Sequence, residues 1–158
     1  MFSFLKATPH TDPSLGVLVR SRGHWRGTLA LRHGQPVPLA IAGSRIAPDP
    51  DALALARAVP AALPAWRPAI EAAVWAHIEP YLEAIAAGDE PAPAGVAPAT
   101  RTDALWPLIT FTHLAAIPLD GRLAVELGLA IPWDEEHTLG ARFHEGRLIE
   151  LCGSVLAP

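Results

Sequence analysis

Cysteine is nearly missing. Cys152 is the only one in 158 residues, so neither an intramolecular disulfide nor a thiolate cage for zinc can form. Lysine is as scarce: Lys6 stands alone and every other base is arginine. Charge is sparse, at 18% of residues, and 12 bases against 16 acids leave a formal net charge of −4. A nucleic-acid footprint needs positive charge gathered on one face, so no nucleic-acid partner is expected. Long apolar runs are absent too. No uninterrupted apolar stretch reaches the ~18 residues that span a bilayer. The start, Met1-Phe2-Ser3-Phe4-Leu5-Lys6, lacks the basic region and sustained apolar core of a signal peptide. The expectation is therefore a cytoplasmic protein with no membrane partner.

What is present is apolar material. Hydrophobic residues make up 51% of the chain, too many for a disordered one. A chain of this length buries roughly 70% of its unfolded surface on folding, enough for one core. The expectation is a single domain over residues 1–158. Residues 1–22 read as an irregular lead-in with a turn at Thr11-Asp12-Pro13-Ser14-Leu15-Gly16. Residues 23–46 read as a hairpin, 49–88 as helices, 89–101 as a Pro/Ala connection, and 104–156 as antiparallel strands.

Period-two alternation is clearest from Leu123 to Trp133. The odd positions Leu123, Val125, Leu127, Leu129, Ile131 and Trp133 are apolar, as a strand with one buried face requires. The segment before it places Ile109, Phe111, His113, Ala115 and Ile117 on one face. If like faces must meet, three-residue turns at Leu119-Asp120-Gly121, His144-Glu145-Gly146 and Arg32-His33-Gly34 set the registers. These pair Ile117 with Leu123, Phe111 with Leu129, Ala141 with Ile149, Leu139 with Leu151, Leu29 with Val37, and Trp25 with Ile41.

Prolines divide the helical region. Asp49 or Asp51 caps a first helix over about Pro50 to Val59, and Pro60 and Pro64 stop it. A second helix starts near Pro68 and ends at Gly88, with Pro80 kinking or splitting it. Ile70, Val74, Ile78, Leu82 and Ile85 form its core stripe, with Glu79 and Glu83 opposite. The predicted fold class is α+β: a mainly antiparallel sheet of about six strands, built from three hairpins and covered on one face by two helices. The predicted element order is β-β-α-α-β-β-β-β.

The densest polar cluster is Trp133-Asp134-Glu135-Glu136-His137-Thr138, placed between two strands. Asp134, Glu135, Glu136 and His137, with Arg45 from the Gly43-Ser44-Arg45 segment, are the candidate binding residues. Asp134, Glu136, His137 and His144 carry oxygen and nitrogen donors suited to a divalent cation, but their spacing matches no metal motif. Ser44 and Ser154 lack a nucleophile-elbow context, so no catalytic residue is assigned and no cofactor is expected. Trp25 and Trp133 fall on core-facing positions, and His113 and Cys152 read as buried packing residues.

Five segments carry a resemblance: Asp12-Pro13-Ser14-Leu15-Gly16, Gly23-His24-Trp25-Arg26-Gly27, Gly43-Ser44-Arg45 with Pro48, Ile78-Glu79-Pro80-Tyr81, and Trp133-Asp134-Glu135-Glu136-His137-Thr138-Leu139-Gly140. With these the chain resembles a family of uncharacterised bacterial domains of unknown function. The last segment resembles that family's Trp-Asp-Glu-Glu-His-Gly-Leu-Gly signature, with Thr138 standing where Gly is usual. The resemblance implies a small bacterial α+β domain without an established activity. The functional expectation is a non-enzymatic interaction domain, by analogy an immunity-type protein, whose acidic loop meets a basic partner. The alternatives are a metal-assisted hydrolase using Asp134, Glu136 and His137, and a homodimer formed through an exposed strand edge.

Overall fold

Left-handed two-residue turns close three of the hairpins, replacing the expected three-residue turns at Asp120-Gly121 and Glu145-Gly146. The expected three-residue turn Arg32-His33-Gly34 does lie between Leu31 and Gln35, whose backbones are hydrogen-bonded. Arg22-Gly23 (φ 47° and 83°), Asp120-Gly121 (50° and 76°) and Glu145-Gly146 (48° and 75°) each put both central residues at positive φ. That geometry matches the twist of paired strands, and glycine at the second position carries no Cβ penalty. The structure, a computed structural model, describes residues 7–158. Residues 1–6, the start of the expected lead-in, lie outside the described residues.

The described residues form one eight-stranded sheet with its strands in sequence order. They are β1 (His10–Asp12), β2 (Gly16–Ser21), β3 (His24–Ala30) and β4 (Pro36–Ile41), then β5 (Thr110–Leu119), β6 (Arg122–Ile131), β7 (Asp134–His144) and β8 (Arg147–Cys152). Between β4 and β5 runs α1 (Pro50–Ala87). The expected six strands are thus eight, because residues 10–21 of the lead-in pair as β1 and β2. Leu18 is buried there while Val17 and Val19 are exposed, so the alternation is real but short. The sheet is also mixed. Leu39, Ala40 and Ile41 of β4 pair parallel with Leu114, Ala115 and Ala116 of β5. The intervening helical crossover returns the chain in the same direction, as parallel neighbours require.

The two predicted helices are one. α1 continues through Pro60, Pro64, Pro68 and Pro80. A proline removes one backbone bond and crowds the carbonyl four residues back. Pro60, Pro64 and Pro68 recur every four residues and share one stripe, and Pro64, Pro68 and Pro80 are exposed. Water can therefore serve the carbonyls freed by Pro64, Pro68 and Pro80, while Ala56, Val59, Leu63, Ile70, Val74 and Ile78 are buried on the other side. The ends match the expectation: the Asp49 side chain accepts from the Asp51 and Ala52 amides, and Gly88 takes the left-handed cap.

Register shows how like faces meet. Leu29 pairs with Val37 and Trp25 with Ile41, as expected. Phe111 also pairs with Leu129, but Ile117 pairs with Ala124 rather than Leu123. A bulge at Thr112 reconciles the two. It rotates β5 so that Leu114 and Ala116 join Phe111 on the core side, opposite Leu127 and Val125. His113, Ala115 and Ile117, expected on the core face, therefore lie on the other one. In β8 the extra residue is Ile149, 57% exposed, so Ala141 pairs with Leu151 rather than Ile149, and the expected Leu139–Leu151 pair is displaced. Trp25 and Trp133 are buried.

Candidate functional site

The acidic run sits at the beginning of β7, not in a free loop. Ile131 pairs with Asp134 and Leu129 with Leu139, so Ala130 alone faces the four residues 135–138. The surplus residues bulge outward. Glu135 and Glu136 are thereby exposed, while His137 folds back toward Asp134. Thr138 is not among the residues of positive φ, so a side chain is unstrained where the resembled signature has glycine.

Asp134 is the centre of this site. Its side chain is 6% exposed and accepts hydrogen bonds from His137 Nδ1 at 2.8 Å and from His77 Nε2 of α1 at 3.1 Å. Burial pushes the Asp134 carboxyl up, but the bonds from His137 and His77 outweigh it and hold it below the usual carboxylate range. Each imidazole keeps one ring nitrogen free of Asp134. Among the described residues no Ser, Thr or Cys side chain hydrogen-bonds either ring, so the arrangement orients two bases without supplying a nucleophile. Sequence reasoning missed His77. Its only signal is its place one residue before the Ile78-Glu79-Pro80-Tyr81 segment.

The other predicted residues do not converge here. His144 lies at the far end of β7, where its Nδ1 donates to the Leu123 carbonyl at 3.1 Å. Arg45 is exposed in the tight loop between Gly43 and Pro48 and joins no ion pair with the acidic run. Among the described residues no group of three or more His, Cys, Asp or Glu is arranged to hold a metal ion.

Beside Asp134 a cleft of about 630 Å³ opens between the end of α1, the start of the connection and the β6–β7 turn. Tyr81 and Trp133 line it, together with the carboxylates of Glu90, Glu135 and Glu136, and no Lys or Arg does. An apolar chamber of about 360 Å³, walled by Leu82, Ile85, Val96 and Trp133, adjoins it.

A second polar cluster lies on the sheet face opposite α1. Glu126 accepts from Arg142 Nε at 2.8 Å and from His113 Nε2 at 3.3 Å, and Arg142 also donates to Glu150 at 2.8 Å. Burial pushes the Glu126 carboxyl up, and His113 and Arg142 together hold it below its ordinary value. Gly128 makes room: a Cβ there would lie 2.2 Å from His113 Nδ1. With its acceptors filled, this cluster ties β5, β6, β7 and β8 together. The Cys152 thiol beside it is pushed up by burial, which does not suit a nucleophile.

An eight-stranded mixed sheet crossed by one long helix, with an acidic cleft at the helix's C-terminal end, defines the class of protein. The chain belongs to the family described as a domain of unknown function, DUF6985, whose model matches residues 15–155. No curated protein and no solved structure matches it. Among the described residues no helix is long and apolar enough to cross a membrane.

Proposed function

We propose that this chain is a non-enzymatic interaction domain of the bacterial cytoplasm, and that its acidic cleft receives a basic segment of a partner protein. One observation carries the reading: Glu90, Glu135 and Glu136 converge on a cleft that also offers Tyr81 and Trp133 and is lined by no cation. A cationic side chain there meets carboxylates at the rim and aromatic faces within. The Asp134–His77–His137 bonds brace the cleft by fastening the start of β7 to α1. In the immunity-type form of this reading, the partner is a basic toxin domain encoded by a neighbouring gene.

Fluorescence anisotropy with a short Arg- and Lys-containing peptide tests it. Binding is expected at low salt, weakening by roughly tenfold or more as screening rises toward 0.3 M, and lost in the Glu135→Lys/Glu136→Lys variant. Absence of binding, or binding indifferent to salt and to charge reversal, overturns the proposal. A second reading, homodimer formation, rests on β8, which ends the sheet and exposes Ile149. Sedimentation velocity decides it, with Ile149→Lys expected to turn a dimer into a monomer.

A further inference from the structure

The β2–β3 hairpin gathers positive charge at its tip. Arg20, Arg22 and Arg26 fall within the seven residues Arg20-Ser21-Arg22-Gly23-His24-Trp25-Arg26. Among the described residues none of the three pairs with a carboxylate side chain. Arg20 donates to the Gly23 carbonyl, which brings its guanidinium to the turn beside the exposed Arg22, and Arg26 donates to backbone oxygens of Ser21 and Pro158. The positive field is felt locally: burial, and then the charges of Arg26 and Arg20, hold the His24 imidazole below its ordinary value. Val17 and Val19 of β2 are exposed next to these cations, so the hairpin presents apolar surface as well as charge.

The complement of this tip is on the same chain. The acidic cleft holds Glu90, Glu135 and Glu136 with Tyr81 and Trp133, and no cation lines it. The hairpin cannot reach the cleft of its own chain. β3 is antiparallel to β4, β4 parallel to β5, and β5 antiparallel to β6, so β3 and β6 run in the same direction. The β2–β3 turn precedes β3, whereas the β6–β7 turn of the cleft follows β6. Basic tip and acidic cleft therefore stand at opposite ends of the sheet, where each faces outward to another molecule.

We propose that the acidic cleft receives the β2–β3 hairpin of a second copy of this chain, with Arg22 entering beside Tyr81 and Trp133 while Arg20 meets the carboxylates at the rim. This rests on the reading of the cleft as a receptor for a basic segment, and names the segment. Charge complementarity selects the hairpin, and a planar guanidinium suits both the carboxylates and the aromatic faces. Because the two surfaces differ, the contact is head-to-tail: each added copy leaves one hairpin and one cleft free, so assembly grows with concentration into chains or closes as a ring.

Sedimentation velocity of the intact chain tests the inference. Species larger than the monomer are expected at ~200 μM protein and ~20 mM salt, with the apparent dissociation constant rising roughly tenfold or more by ~0.3 M salt. The Arg20→Glu/Arg22→Glu variant alters only the hairpin, and Glu135→Lys/Glu136→Lys only the cleft; each alone is expected to sediment as a monomer. Glutamate suits the turn, since Glu145 holds the same conformation (φ 48°) in the β7–β8 turn. Mixed in equal amounts the two variants are expected to associate again, because one keeps an intact cleft and the other an intact hairpin, which misfolded proteins would not do. A monomeric wild-type chain that still binds the Arg- and Lys-containing peptide overturns this inference and leaves the cleft reading standing, whereas failure of peptide binding and self-association together removes both. Association that persists in Glu135→Lys/Glu136→Lys, or a mixture that stays monomeric, also overturns it.

Discussion

Asp12 has a side chain with no exposed surface, yet it is charged. Its carboxylate accepts from the Ser14 and Leu15 amides at 2.9 Å each, holding the β1–β2 turn, and Arg57 of α1 closes on it as a salt bridge. The Arg57 hydrogen bond, reinforced by the two amides against the cost of burial, holds this carboxyl well below the usual carboxylate range. Removing it strands the buried Leu15 amide and the part-buried Ser14 amide, so Asp12→Ala is expected to cost about 2–3 kcal/mol in urea denaturation. Glu126 and Asp134 are lowered as well. A depressed carboxyl contributes stability that is complete above its unfolded value and is lost as pH falls through its folded one. Unfolding free energy is therefore expected to be flat from neutrality to about pH 5 on account of these groups and to fall below about pH 4. Asp12→Asn is expected to flatten that acid limb in a pH series of Tm measurements. Gly43 is a different case. A Cβ there would lie 2.6 Å from both the Ala47 carbonyl and the Pro48 Cα, which are backbone atoms that cannot swing aside. Gly43→Ala is expected to destabilise by about 1–3 kcal/mol, from overpacking of the strand-to-helix loop.

Among elements, α1 sets the pattern of strength. Its buried stripe and its two caps maintain a helix that its interior prolines oppose. Proline in a helix interior costs ~3 kcal/mol relative to alanine, partly offset because proline also restricts the unfolded chain. Since Pro64 is exposed, Pro64→Ala restores an amide donor with no loss of packing. It is expected to raise stability by about 1–2 kcal/mol, read as a higher Tm with unchanged far-UV circular dichroism. The β5–β6 pair shows the opposite dependence. Its register relies on a bulge, and the His113 ring beside that bulge occupies the space that Gly128 leaves open. Gly128→Ala is expected to displace His113 from Glu126 and cost about 2–4 kcal/mol, with loss of the shielded His113 imidazole resonance in NMR spectra.

On the scale of the molecule, the sheet has two ends and the helix joins both. One end of α1 meets the start of β7 and the acidic cleft, the other meets the β7–β8 turn. Because Asp134 is bonded both by His77 of α1 and by His137 of β7, the cleft depends on the helix staying docked. Asp134→Ala is expected to weaken peptide binding at the cleft by roughly tenfold while leaving Glu135 and Glu136 in place, read by anisotropy alongside Tm.

Local rules decided much of this in advance. The Asp49 cap, the Gly88 stop, the Ile70–Val74–Ile78 stripe and the β6 alternation depend on residues only a few positions apart, where spacing determines which side chains share a face. The acidic run was legible for the same reason. The rest was settled by burial across the fold. Whether Pro60, Pro64 and Pro68 end a helix turns on which side faces water, and whether a turn takes two residues or three turns on whether a bulge elsewhere restores the matching of faces. The meeting of His77 with Asp134, 57 positions apart, has no local signature at all. Only the packing of α1 on the sheet brings them together, because a buried carboxylate must find its donors wherever the chain supplies them.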